Sequence, residues 1–314
     1  MNLRRISAIV LHTRLPNLII IGLVLYLQRW CIVVPGLQQS GIELGWTGYG
    51  LIVLGTVLIA AGGYLINDYF DTEIDAVNRP EKAVSLRFIL PGTLKTAYLT
   101  ATLAGLISIV WACYLSGIYI LWLVYLLAAG ILFWYSYQLK KVLFLGNLAV
   151  AIASAFTMPA AWLYDLLSLS GWSSIGFSAA NVYFGITKRV IIYSLFAFLI
   201  SFAREIIKDI EDMEGDSRYG CRNLPVVYGV PVAKKIIITC FALILMVLCF
   251  WQIDLFKTGR SDIAVYLAIA VDLPLLWLTT FVFRIRTKAE SHKAGLLTKI
   301  IMVTGILSML WFLF

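Results

Sequence analysis

The sequence predicts an all-α polytopic membrane protein, with about nine transmembrane helices in one bundle around a central cavity. Composition carries most of this: of 314 residues, 61% are hydrophobic and only 13% charged, with a mean hydropathy of +0.90. Soluble domains carry about 25% charge, so lipid is the expected solvent. The second observation is nine apolar runs close to the about 20 residues that a spanning helix needs. The third is that basic residues gather at alternate ends of those runs.

In chain order the spans are 15–34, 49–66, 97–115, 119–135, 143–162, 190–203, 236–251, 263–283 and 296–314. Arg4, Arg5 and Arg14 precede the first, and a polar stretch without a small-residue cleavage site follows it. It therefore reads as a retained helix and not a removable signal. Residues 75–96 and 215–232 carry Gly, Pro and charge and read as loops able to close over a bound head group; 168–178 reads as an external loop. In the eighth span Asp272 sits just before Pro274, where a carboxylate is costly and faces the bundle interior or freed backbone groups. Residues 1–314 read as one membrane-embedded domain.

The net charge of +8 does not point to nucleic acid, because the basic residues follow topology. Of 25 Lys and Arg, all but Arg29, Lys188, Arg189, Lys257 and Arg260 fall at the N-terminus or at the loops after even-numbered spans. The positive-inside rule places those loops and the N-terminus in the cytoplasm and the protein in the cell's inner or plasma membrane. Five cysteines without C-x-x-C spacing make disulfides and zinc poor expectations.

Eleven of seventeen carboxylates lie in two cytoplasm-facing segments: Asp68, Asp71, Glu73, Asp75 and Glu81; and Glu205, Asp209, Glu211, Asp212, Glu214 and Asp216. Two solvated loops would explain acidity, but not the pattern. Both segments share the spacing D-x-x-D-x-x-x-D at an offset of 141 residues. On a helix, positions i, i+3 and i+7 fall within a face about 60° wide, so each triad reads as one carboxylate stripe. Like charges so spaced destabilise a helix unless a cation neutralises them. Mg²⁺ suits such a site, since it is held by one or two carboxylates plus substrate phosphates. Each stripe ends a long apolar span, an arrangement fit for an amphiphile with its head at the stripes and its tail among the helices.

The run Asn67-Asp68-Tyr69-Phe70-Asp71 with Asp75 and Asn78-Arg79-Pro80, and the run Arg204-Glu205 with Lys208-Asp209, Asp212, Asp216 and Leu224-Pro225, resemble the two signatures of the UbiA-type intramembrane prenyltransferases. Tyr135-x-Tyr137-x-Leu139-Lys140-Lys141 and Gly146-Asn147 lie between them. The second run is most similar to that of digeranylgeranylglyceryl phosphate synthases. Chlorophyll synthases share sequences like 74–80 and 214–216, and residues 83–87 depart from the expected pattern around Arg87.

The resemblance implies Mg²⁺-dependent ionisation of a prenyl diphosphate donor, with geranylgeranyl diphosphate the expected one, and transfer to a lipid or aromatic acceptor. The expected metal ligands are Asp68, Asp71 and Asp75 at one pole and Asp209, Asp212 and Asp216 at the other, with Asp68, Asp71, Asp209 and Asp212 central to catalysis. Asn67, Arg79, Lys140, Lys208 and Tyr135 are expected to contact substrate. Arg204 either joins them or pairs with a nearby carboxylate. Tyr64, Tyr69 and Tyr137 are further candidate walls for the cation. Lys141, Arg87 and Arg222 are available for an acceptor phosphate. His12 and His292 read as isolated, without a catalytic role. A transporter, the rival from another class, would spread carboxylates through the membrane depth, where Asp272 stands as the only one expected.

Overall fold

A computed structural model describes residues 12–38, 44–78, 91–169 and 177–314, and every regular element among them is helical. Arg79 and Arg87 lie outside the described residues. The long helices are α1 (Leu15–Gln38) and α2 (Trp46–Phe70), followed after the short α3 (Thr72–Asn78) by α4 (Pro91–Ser116), α5 (Leu121–Tyr137), α6 (Leu145–Ser168) and α7 (Phe177–Arg218). A second short helix, α8 (Leu224–Tyr228), leads to α9 (Val230–Lys257), α10 (Ser261–Arg284) and α11 (Lys288–Leu313).

Eight of these are long and apolar enough to cross a membrane, and the 17-residue apolar α5 takes the place of the expected fourth span. At 1.5 Å per residue α5 covers about 25 Å, near the shortest length that crosses a bilayer core. The expectation of about nine helices thus stands as eight long ones and a short one.

Two expectations about helix extent change. The sixth span, expected over 190–203, is the middle of a 42-residue helix, α7. It contains no proline, and between 186 and 214 no glycine. Nothing in that stretch interrupts the hydrogen-bond ladder, and the second acidic motif rides on the same helix as the apolar run. The first motif is different: α2 stops at Phe70, Asp71 sits at φ −92° and ψ 1°, and α3 then begins. The Thr72 hydroxyl donates to the carbonyls of Asp68 and Tyr69, both at 3.1 Å, a side-chain alternative to the ladder that favours a helix end.

The bundle holds two large buried clusters and a small third one of Leu65 and Leu94. Of the large ones, one joins α1, α6, α7, α9, α10 and α11; the other joins α2, α4 and α5 with faces of α1 and α6. α2 and α4 approach through glycine: a Cβ at Gly55 would stand 2.5 Å from Ile109 Cδ1 and 2.8 Å from the Gly105 carbonyl oxygen. Small residues are the usual means of such close contact in lipid. Large apolar side chains such as Ile107, Leu127, Phe184 and Phe250 remain exposed on the outside, where the hydrocarbon would meet them.

Asp272 is not the only carboxylate inside the bundle. Asp165, beyond the expected end of the fifth span, is 1% exposed on α6. Its Oδ1 lies 3.2 Å from Arg29 Nη1. Arg29 also donates to the Gly45 carbonyl at 2.7 Å and stacks over the Trp46 and Tyr49 rings. Arg29 belongs to a π-helical turn over Gln28–Val33, and a second such turn, Ala268–Asp272, ends at the carboxylate that accepts from Gln252 Nε2 at 2.6 Å.

Candidate active site

The two acidic motifs meet, and Asn78 joins them. Its Oδ1 accepts from the Gly215 backbone N–H at 2.8 Å, and its Nδ2 donates to Asp216 Oδ1 at 3.4 Å. Gly215 is required for this approach, because a Cβ there would stand 2.4 Å from Asn78 Oδ1. From the far side, Lys288 at the start of α11 donates to the Asn78 carbonyl at 2.6 Å. One asparagine at the end of the first motif thus ties α3, α7 and α11 together.

Within the first motif the three aspartates have different surroundings. Asn67 donates to Asp71 Oδ2 at 2.6 Å, and the Lys140 ammonium contacts the other Asp71 oxygen. Asp75 is buried on α3, its backbone N–H bonded to the Asp71 carbonyl at 2.7 Å. Asp68 is wholly buried; His12 Nδ1 lies 2.7 Å from its Oδ2 and Arg14 Nη2 3.3 Å from its Oδ1. The three carboxylates thus have different partners, and the helix is interrupted at Asp71, between Asp68 and Asp75.

The second motif keeps its stripe on α7. Asn147 donates to Asp209 Oδ2 at 2.7 Å, and Asn223 donates to Asp216 Oδ2 at 2.6 Å. The off-face carboxylates turn elsewhere, as the spacing predicts: Glu214 pairs with Arg218 at 2.6 Å and Glu211 with His292 at 3.1 Å. Lys208 lies 4.0 Å from Glu205, which also pairs with Arg204 at 3.0 Å.

Lys140 stands between the motifs. It touches Asp71 and lies within electrostatic reach of Lys208 and Asp216. Burial, reinforced by the Lys208 charge, pulls its ammonium down to about 8. Its loop is held against α6 by Gly146, where a Cβ would stand 2.7 Å from the Lys140 Cα. Tyr135 lies within electrostatic reach of Glu205, Asp209, Arg14 and Asp216 and so borders the same space. Of the other aromatic candidates, Tyr64 lies under the Arg14 guanidinium at 4.9 Å. Tyr69 packs on Phe70, and Tyr137 packs with Phe70 and Phe133.

Sequence reasoning missed four participants. His12, read as isolated, is the closest partner of Asp68; Arg14 was counted only for topology; Asn147 and Asn223 carried no assigned role. Asn147 had a usable signal, being a polar side chain at the start of an apolar run beside Gly146. The His12–Asp68 contact spans 56 residues and left no local pattern.

The donor set is chemically suited to Mg²⁺: hard carboxylate oxygens, with a lysine cation already drawn to one of them. Among the described residues no three His, Cys, Asp or Glu side chains converge as a closed metal cage. Mg²⁺ is commonly held by only one or two carboxylates together with substrate oxygens and water, so it does not require such a cage.

Residues 30–305 match the model of the UbiA prenyltransferase family. The chain is 31% identical over 273 residues to a protein of Thermococcus gammatolerans named digeranylgeranylglyceryl phosphate synthase, covering 84% of this chain and 87% of the relative. Its fold is similar to that of a solved structure described as digeranylgeranylglyceryl phosphate synthase in membranes, with TM-score 0.62, 21% identity and 97% of each chain covered. It is also similar to a UbiA homolog from Archaeoglobus fulgidus bound to DMAPP and Mg²⁺, with TM-score 0.52, 16% identity, and 93% of this chain and 97% of that one covered. An all-helical membrane bundle with paired acidic motifs, a match over most of its length and an extended curated likeness together identify this chain as a member of the UbiA prenyltransferase family.

Proposed function

We propose that this prenyltransferase moves a geranylgeranyl group from its diphosphate to the free hydroxyl of geranylgeranylglyceryl phosphate. The observation that carries the acceptor is the 31% identity, over 84% of the chain, to a relative named for that product. The Asn78–Gly215 contact supports one shared donor site at the joined motifs. The positive-inside bias supports a cytoplasmic motif end and N-terminus.

In this reading Asp71 and Asp75 from one motif and Asp209, Asp212 and Asp216 from the other would hold Mg²⁺, while Asp68 anchors the N-terminal segment through His12 and Arg14. Bound Mg²⁺ would supply the positive charge that stabilises a departing diphosphate. Asn67 orients Asp71, Asn78 and Asn223 orient Asp216, and Asn147 orients Asp209. Lys140 and Lys208 complete a positively charged clamp on the phosphate oxygens. The donor C1–O bond breaks with its electron pair on the diphosphate, the acceptor oxygen bonds to C1, and the hydroxyl proton passes to a diphosphate oxygen. Tyr135 walls the allylic cation from water.

The deciding assay supplies purified protein and Mg²⁺ with geranylgeranyl diphosphate and either geranylgeranylglyceryl phosphate or 4-hydroxybenzoate. Mass spectrometry should show the doubly geranylgeranylated glyceryl phosphate. Product from 4-hydroxybenzoate alone would replace this acceptor with an aromatic one.

A further inference from the structure

The sequence left an acceptor phosphate without a defined partner: of the three basic residues it offered, Lys141 and Arg222 are exposed and Arg87 lies outside the described residues. The bundle supplies a better group. α7 and α11 lie side by side, since a Cβ at Gly295 would stand 4.0 Å from Ile207 Cγ2. They run in opposite directions, so Lys299, about one turn beyond Gly295, comes level with Arg204, about one turn before Ile207. Lys299 lies within electrostatic reach of both Arg204 and Arg14, and Arg14 in turn lies within reach of Glu205. Three cations from three chain segments thus gather at one level.

We propose that Arg14, Arg204 and Lys299 form the binding site for the phosphate of the acceptor lipid, entered sideways from the bilayer. The proposal rests on the glyceryl phosphate reading above and names the residues that would select it. Charge balance is its first support. Asp68 and Glu205 are the carboxylates paired with this group, through Arg14 and Arg204, and Glu205 is shared with Lys208. Among the described residues no carboxylate pairs with Lys299. Among the described residues the three cations Arg14, Arg204 and Lys299 face the two carboxylates Asp68 and Glu205, an imbalance that is costly in a partly buried setting unless an anion joins them. A phosphate monoester carries the charge and the acceptor oxygens that two guanidinium groups and an ammonium bind well.

Position is the second support. Arg204 lies eight residues before Asp212 on α7, about 12 Å along the helix toward the apolar middle. Tyr135 is within electrostatic reach of Arg14 as well as of Asp209 and Asp216, so this group and the second motif border one space. The glycerol hydroxyl of the acceptor is separated from its phosphate by a short carbon linkage and would reach the donor across that space. Access is the third support. Lys299 is half-buried, while its neighbours Leu296 and Ile300 are 51% and 58% exposed on the outer surface of α11. The ammonium therefore stands at the edge of the lipid-facing surface, where the head group of a membrane-borne substrate arrives.

The test measures kcat/KM for geranylgeranylglyceryl phosphate and for its phosphate-free alcohol. Wild type, Lys299→Gln and Lys299→Arg are compared in phosphatidylcholine nanodiscs, where no anionic lipid adds a general surface attraction. Wild type should prefer the phosphorylated acceptor, and Lys299→Gln should reduce that preference by about tenfold or more. Lys299→Arg should restore most of it, and the KM for the donor should stay within about twofold in both variants. An unchanged preference in Lys299→Gln, or a loss that falls on the donor KM, would overturn the site while leaving the reaction intact. Wild type that ignores the glyceryl phosphate acceptor altogether would overturn the functional reading and this site with it.

Discussion

The two acidic motifs are near copies in sequence and unlike in structure. The second lies on one unbroken helix, and Asp209 and Asp216 are each held by an asparagine from another segment. The first straddles a helix end, and its aspartates divide: Asp68 turns to His12 and Arg14, while Asp71 meets Asn67 and Lys140. Equal spacing gives equal geometry only where the helix continues. The break separates Asp68, which pairs with His12 and Arg14, from Asp71, which meets Asn67 and the Lys140 that stands near Asp216. One motif thus lies on a continuous helix, and the other also ties down the segment that carries His12 and Arg14.

The largest effects should come from the aspartates that face across the site. Asp71→Asn and Asp212→Asn should each lower kcat/KM by about 10²–10³-fold and raise the Mg²⁺ concentration needed for half-maximal rate, with little change in thermal unfolding temperature. Equal sensitivity at both positions would support a shared ion; a large loss at only one would break the symmetry of function that survives the asymmetry of structure.

An intermediate effect is expected at the clasp between the motifs. Gly215→Ala places a methyl group 2.4 Å from Asn78 Oδ1, so it must displace the Asn78 amide from its contacts with Gly215 and Asp216 and should cost about 10-fold to 100-fold in kcat/KM. Asn78→Ala in the Gly215→Ala background makes room for the methyl, and the double variant should lose less than the product of the two single losses.

The smallest effect should fall on Asp68. Asp68→Asn keeps the shape, can still bond to His12, and loses the charge opposite Arg14. It should lower activity by no more than about tenfold and leave the Mg²⁺ dependence where it was. A shift in Mg²⁺ dependence as large as that of Asp71→Asn would show that Asp68 binds the ion and that its contacts with His12 and Arg14 give way when the ion arrives.

Much of this was readable from the chain. Apolar length located the spans, because a bilayer of fixed thickness imposes a fixed count of residues, and α5 was found although it is short. The acidic positions were readable because like charges at helical spacing need a reason. Helix ends were less legible: α7 continues through a charged stretch because strong helix formers surround the aspartates there, whereas Thr72 and Asp71 end α2 by local hydrogen bonding. Partners across the bundle were not legible at all. His12 with Asp68, Arg29 with Asp165 and Lys288 with Asn78 join residues 56, 136 and 210 positions apart. Each is a product of packing, and none has a periodic signature.

The central claim is that both motifs serve one diphosphate–Mg²⁺ site, and a double-mutant cycle tests it most directly. Measured at saturating Mg²⁺ as kcat/KM for the donor, Asp71→Asn, Asp212→Asn and the double variant should retain nearly the same residual activity, because residues acting as one unit lose their function together. A double variant whose loss equals the product of the two single losses would mean that the motifs act independently, and the account of a single shared site would be wrong.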